Sequence, residues 1–240
     1  MIFIPEGNSK PNFLHSVLII ISKLVSDLPE SLTIEPAFPP QFSKIISEAR
    51  KEFPKLGIIA GNVVTSEGVR LLMDSGADGV KVGIGSGGVC DTTETTGIGY
   101  PQLSAAIDCS LEVKKYNGFI VSDGGVKITG DISKAFAAGS GFVMLGSLLA
   151  AHKESMAPII RKDNKNFREL YGMSSTQAMT KHYGGVADYR TSEGKSILVE
   201  DRGPVKNTLN KILGALRSTC TYINAKNIGE IHENSSFIIL

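Results

Sequence analysis

From Phe42 onward the chain alternates short, continuously apolar runs with stretches of helical character, a rhythm that leaves few folds other than a parallel sheet with helices packed on it. The spacing predicts a helix over Ser43 to Phe53, a strand over Gly57 to Val64, a helix over Ser66 to Ser75 and a strand over Gly79 to Ile84. It then predicts a helix over Pro101 to Lys115, a strand over Gly118 to Ser122, a helix over Gly130 to Ala138 and a strand over Gly141 to Leu145. The strands show little polar–apolar alternation, as expected when both faces of a sheet are covered. Strand–helix–strand connections of this kind cross over with a right hand, so the expected class is α/β. Upstream, prolines at 5, 11, 29, 36, 39 and 40 break the chain and leave room for one helix across Phe13 to Leu28, which reads as a loosely attached extension.

Composition narrows the function classes. A chain of 240 residues suits one domain of α/β-barrel size or two small ones. Its 25 basic and 24 acidic residues leave a formal charge of +1, with no basic surface of the kind nucleic acid requires. Cys90, Cys109 and Cys220 have no metal-ligand spacing and leave one thiol over in any pairing, which points to a reducing compartment and a cytoplasmic protein. Val17 to Ile21 is too short an apolar run to span a bilayer, and no basic leader precedes it. His15, His152, His182 and His232 are scattered and are expected at the surface rather than on a metal.

The chemically suggestive clusters all fall at C-terminal strand ends: Asn62, then Gly85 to Thr93, then Ser122 to Gly125, then Gly146 and Ser147. In a (β/α) barrel that rim is where active sites are built. The loop Gly83-Ile84-Gly85-Ser86-Gly87-Gly88-Val89-Cys90 is rich enough in glycine to fold tightly around a small ligand, and it presents the side chain best suited to attack one. Gly124-Gly125 and Gly146-Ser147 each precede a helix, where backbone N–H groups and the helix dipole favour a phosphate. With an Asp at the same rim, the pattern points to a phosphorylated small molecule.

The run IIAGNVVTSEGVRLLMDSGADGVKVGIGSGGVC carries a further signal, continuing through TTGIGYPQLSAAIDC, SDGG, KAFAAGSGFVMLGSLLA, YGMSS, GGVADYRTSEGK and LRSTCTY. In unbroken order over about residues 42 to 240, it closely resembles GMP reductase, within the IMP dehydrogenase/GMP reductase family. Tyr100 and the Arg217 to Thr221 segment look like the reductase branch, as does the lack of an inserted regulatory domain. The resemblance implies a TIM-barrel (β/α)8 fold, of which this chain supplies an incomplete barrel with about the last four βα units. Residues 1–41 would then be a divergent N-terminal extension, and 42–240 the partial barrel with its active-site flap and C-terminal segment.

The resemblance also implies a reaction: NADPH-dependent conversion of GMP to IMP with release of ammonia, through a thioimidate on Cys90. Thr92 and Glu193 match the family's proton-transfer pair, needed because an amine leaves only once protonated. Asp123 matches the residue that accepts from ribose hydroxyls, and Gly124, Gly125, Gly146 and Ser147 match a phosphate cradle. Gly172, Met173, Ser174, Arg190, Ser192 and Gly194 match segments around base and phosphate. Met173, Tyr189, Arg190, Ser218, Thr219, Cys220 and Thr221 match contacts to NADPH, and the carbonyls of Gly85, Gly87 and Cys90 match ligands of a potassium ion. Homotetramers are usual in the family; the helix near Val205 to Leu216 and the tail Ser235 to Leu240 are candidate subunit contacts, with core packing the favoured reading for their apolar residues.

Three departures stand out. Where the family reads Cys-Thr-Thr-Arg, this chain has Cys90-Asp91-Thr92-Thr93, so a negative charge stands beside the thiol and works against the thiolate. Upstream, Thr33 to Ala37 replaces a cofactor motif. Half a barrel also exposes two sheet edges. A second reading therefore stays open: a non-catalytic form that binds purine nucleotide or associates with full-length subunits.

Overall fold

The computed structural model describes residues 40–239, and the expected helix at Phe13 to Leu28 lies outside them. Among the described residues the chain forms a parallel sheet of four strands in the order β1-β2-β3-β4 and a separate antiparallel sheet in the order β5-β6-β7. The first part runs α1 (Pro40–Glu52), β1 (Ile59–Val63), α2 (Ser66–Asp74), β2 (Gly79–Val82), α3 (Thr92–Thr96), α4 (Gln102–Val113), β3 (Phe119–Asp123), α5 (Thr129–Ala137) and β4 (Phe142–Met144). The eight elements expected between Ser43 and Leu145 are all present, with ends displaced by no more than a few residues.

Register sorts the side chains of this sheet onto two faces. Val80 and Val82 pair with Ile120 and Ser122, Ala60 pairs with Val80, and all five are buried. This is the face that α1, α2 and α4 cover, through Ile46, Val69, Leu72, Ala105, Ala106, Cys109 and Val113. Their spacing of three and four along α2 and α4 is the helical counterpart of the strand alternation. Thr65 starts α2 by accepting the Gly68 N–H at 3.2 Å. Lys81 falls between the two buried valines and therefore projects from the opposite face, in line with Val121 and close to Asp123. A register shift between Gly61 and Val63 takes Asn62 out of the ladder, a bulge at the strand end where the site is built.

A second core joins α5 to a long C-terminal helix, α8 (Lys206–Tyr222), through Ile132, Phe136, Ile212, Leu216 and Ile231. Between them lie α6 (Ser147–Ala150), β5 (Ile159–Lys162), β6 (Lys165–Tyr171), α7 (Thr176–Tyr183) and β7 (Ser196–Glu200). One expectation needs correction here. His152 is not at the surface but fully buried, with Nδ1 3.0 Å from the Gly203 carbonyl. The core packing expected for the apolar residues of the C-terminal helix is present in Ile212 and Leu216, whereas Ile238 and Ile239 in the tail are exposed. Among the described residues no helix is long and apolar enough to cross a membrane.

The antiparallel sheet is tied together by Arg168, 5% exposed, whose guanidinium meets Asp201 at 2.5 Å and donates to the Ala157 carbonyl. Removing one member of a largely buried charged pair leaves the other uncompensated. Arg168→Ala is expected to destabilise the protein by about 3 kcal/mol. Urea unfolding followed by circular dichroism checks the value.

Candidate active site

The site is assembled at the C-terminal ends of β1, β2 and β3. At its floor, Asp123 closes β3 and its Oδ2 receives the Lys81 ammonium at 2.7 Å and the Asn62 amide at 3.0 Å. Asn62 also donates to the Gly83 carbonyl at 2.7 Å, fastening the end of β1 to the end of β2. Gly83 turns out of β2 at φ +146° with the Asp123 carbonyl packed where a Cβ would stand, so only glycine fits. Gln102 at the start of α4 donates to the Val82 carbonyl at 2.8 Å and to Ser122 at 3.0 Å, and accepts from Ser86 at 2.7 Å. The Gly125 N–H in turn donates to the Ser86 carbonyl at 2.9 Å, joining the cysteine loop to the Gly124-Gly125 turn. Gly88 lies against Ser147, which brings the Gly146-Ser147 turn to the other side of the same loop.

Cys90 sits half-buried where this loop meets α3. Its thiol donates to the Thr92 hydroxyl at 3.1 Å, so the expected nucleophile and the expected proton carrier are in contact. Cys109, by contrast, is fully buried in the helix layer; burial pushes its thiol up to about 12, with the charges of Asp108 and Glu67 adding to the effect.

The antiparallel sheet delivers the second wall. β6 ends at Tyr171 and releases Gly172 to Ser175; β7 begins at Ser196, directly after Arg190 to Lys195. Gly194 is bridged on one side to Cys90 and on the other to Ser175, and the Ser175 N–H stands where its side chain would be. Backbone bonds flank that bridge: Asp91 N–H to the Glu193 carbonyl at 2.7 Å, Lys195 N–H to the Val89 carbonyl at 3.1 Å, and Glu193 N–H to the Ser174 carbonyl at 3.0 Å. The Ser192 hydroxyl donates to the carbonyls of Ser174 and Gly194, both at 3.1 Å. Cys90, Thr92, Glu193, Gly172, Ser174, Ser192 and Gly194 thus form one cluster, with Met173, Tyr189 and Arg190 exposed at its rim.

The expected cofactor contacts do not all join it. Ser218 to Thr221 lie on α8, where Thr219 and Ser133 of α5 share a hydrogen bond of 2.8 Å and Cys220 packs into the second core. The carbonyls expected on potassium are neutral oxygens in the cysteine loop, a donor set suited to a monovalent cation. That of Gly87 already accepts the Cys90 N–H at 3.1 Å. Thr93 fills the space beside Gly85 and Gly99. Among the described residues no three His, Cys, Asp or Glu side chains cluster as a metal site.

Asp91 behaves differently from expectation. Its carboxylate faces Lys195 Nζ at 2.8 Å, so its charge beside Cys90 is paired. Sequence reasoning missed Lys81, Gln102 and Lys195. A lysine between two valines of a buried strand was a visible signal for the first; the other two act through partners distant in sequence.

A parallel sheet of four strands whose C-terminal ends carry a cysteine loop, glycine turns and a carboxylate makes this an α/β protein with its candidate site at the rim of that sheet. The family model of the IMP dehydrogenase / GMP reductase domain matches residues 37–240, and the chain belongs to that family. It is similar to the GMP reductase of Phytophthora infestans, 52% identical over 197 residues, which cover 82% of this chain and 54% of that protein. It is similar also to the GMP reductase of Photobacterium profundum, 52% identical over 193 residues, covering 80% and 56%. GMP reductase 2 of Homo sapiens is 48% identical over 207 residues, covering 86% and 60%. The resemblance read from the sequence is borne out, and the chain spans little more than half the length of these relatives.

Thiol environment separates the cysteines. Iodoacetamide on the native protein is expected to label Cys90 and to spare Cys109 until the chain is unfolded, as peptide mass mapping would report.

Proposed function

We propose that this chain carries the nucleophile half of a GMP reductase site and takes part in the reductive deamination of GMP to IMP and ammonia. The observation that carries the reading is the contact of the Cys90 thiol with Thr92, directly beneath the segment that bears Glu193. In this scheme the Cys90 thiolate adds to C2 of the purine, and the 2-amino group leaves as ammonia after protonation. The Thr92 hydroxyl and the Glu193 carboxylate move the protons, and a thioimidate on Cys90 remains. When bound, NADPH supplies the hydride that C2 accepts; the C2–S bond then breaks, IMP leaves and the thiolate is restored. Asp123 receives the ribose hydroxyls, and backbone N–H groups at Gly124, Gly125, Gly146 and Ser147 hold the 5′-phosphate. Gly172, Met173, Ser174, Arg190, Ser192 and Gly194 enclose base and phosphate. Met173, Tyr189, Arg190 and Ser218 to Thr221 would hold the NADPH. A potassium ion would be held by the carbonyls of Gly85, Gly87 and Cys90 and would order the loop.

Purified protein, alone or mixed with a full-length relative, should oxidise NADPH when GMP is added. Cys90→Ala should abolish turnover, and Thr92→Ala and Glu193→Gln should each lower kcat about 10²- to 10⁴-fold. The second reading, a non-catalytic form that binds purine nucleotide or associates with full-length subunits, draws its support from Asp91-Thr92-Thr93 standing after Cys90 where the family reads Thr-Thr-Arg. Calorimetry that detects GMP binding by a well-folded sample lacking NADPH oxidation would favour it over the enzyme.

We further infer that β1 to β4 are about half of an eight-stranded barrel, with residues 1–41 outside it and 42–240 forming the partial barrel, the flap and the C-terminal segment. β1 and β4 each pair with one strand among the described residues, and further strands, from this chain or another, would close the ring. Light scattering should return the mass of an assembly, with four copies the family expectation. A well-folded monomer would overturn closure by other copies.

A further inference from the structure

We propose that Asp91 and Lys195 form an electrostatic latch that holds the Glu193–Lys195 segment on the cysteine loop, making both positioning residues for Cys90 and Glu193. The inference deepens the reading above and rests on it only for what the latch positions. Its basis is the economy of the junction. Two backbone hydrogen bonds flank the Cys90–Gly194 bridge, one at Asp91 and one at Lys195. Such bonds are worth about 0.5–1.5 kcal/mol each. The chain leading into the bridge, from Ala187 to Thr191, is exposed throughout. With so few backbone bonds to the cysteine loop, an ion pair across the bridge adds measurably to how firmly the segment is seated on it.

Asp91 and Lys195 are the diagonal pair across that bridge, a placement from which long side chains reach one another. Nζ of Lys195 is 2.8 Å from Asp91 Oδ1 and 3.9 Å from Glu94 Oε1. The Asp91 side chain is only 20% exposed, so this pair is less screened than a fully solvated one, whereas Glu94 at 77% adds little. Hydrogen bonding to Asp91, then its charge and that of Glu94, raise the lysine above its ordinary range and keep it an ammonium. The latch also answers the departure at position 91: an aspartate beside the nucleophile is tolerated because its counter-ion arrives with the opposite wall.

Hydrogen exchange by mass spectrometry on the full chain tests this without any need for turnover. Asp91→Asn and Lys195→Met should each speed amide exchange across residues 192–196 about three- to tenfold, with the urea midpoint little changed. Lys195→Arg should restore protection, and the exchanged pair Asp91→Lys with Lys195→Asp should be better protected than either reversal alone. Where GMP-dependent NADPH oxidation is measurable, the same single variants should lower kcat more than they raise KM. Unchanged exchange in both single variants, or a reversed pair no better than the single reversals, would overturn the latch. Protection that follows this pattern in a protein that never reduces GMP would uphold the latch and sink the proposed reaction.

Discussion

Everything at the candidate site depends on the parallel register of β1 to β4. Because Ala60, Val80, Val82 and Ile120 must all face the helices, the residues between them are forced onto the other side of the sheet, and the strand ends line up at one rim. A slip of one residue would send Lys81 into the helix layer and a valine toward Asp123. The burial of Val80, Val82 and Ile120, each wholly inaccessible, therefore fixes the position of charged groups that those residues never touch. Hydrophobic sorting sets the electrostatics of the rim.

How much of this could be read from the sequence follows from the range of the forces involved. The four parallel strands and their helices were legible because runs such as Gly57 to Val64 and Gly79 to Ile84 are short, largely apolar and opened by glycine, although the expected cover on both faces is full only on the helix side and partial on the other. The antiparallel sheet was not. Ile159 to Lys162 and Ser196 to Glu200 are short and largely exposed, so no apolar stripe announces them, and they are held by pairing across the chain rather than by their own composition. The helix expected at Val205 to Leu216 was found, but runs to Tyr222, since Leu216 and Cys220 continue the same packed face.

Within the site, the residues that could be named in advance were those with a chemical signature: a cysteine on a glycine loop, a carboxylate at a strand end, a glutamate in the flap. Those that could not were the ones whose meaning is relational. Asp91 looked like a handicap to the neighbouring thiol until the fold brought Lys195 to it, and Gln102 is an unremarkable helix residue until it is seen holding Val82, Ser122 and Ser86 together. Ser218 to Thr221 belong to the opposite case, a recognisable motif on an element whose visible work within the chain is to pack against α5.

The grip on Asp123 carries a consequence for selectivity. Lys81 and Asn62 both hold Oδ2, while Oδ1 has no protein partner among the described residues. A carboxylate clamped on one oxygen cannot swivel to meet whatever sugar arrives; it offers the free oxygen in one direction only. On the proposed reading, Asp123 acts as a fixed gauge for a vicinal diol. A 2′-deoxy nucleotide would keep its 3′-hydroxyl donor but lose the 2′ one, and the clamped carboxylate could not turn to replace it.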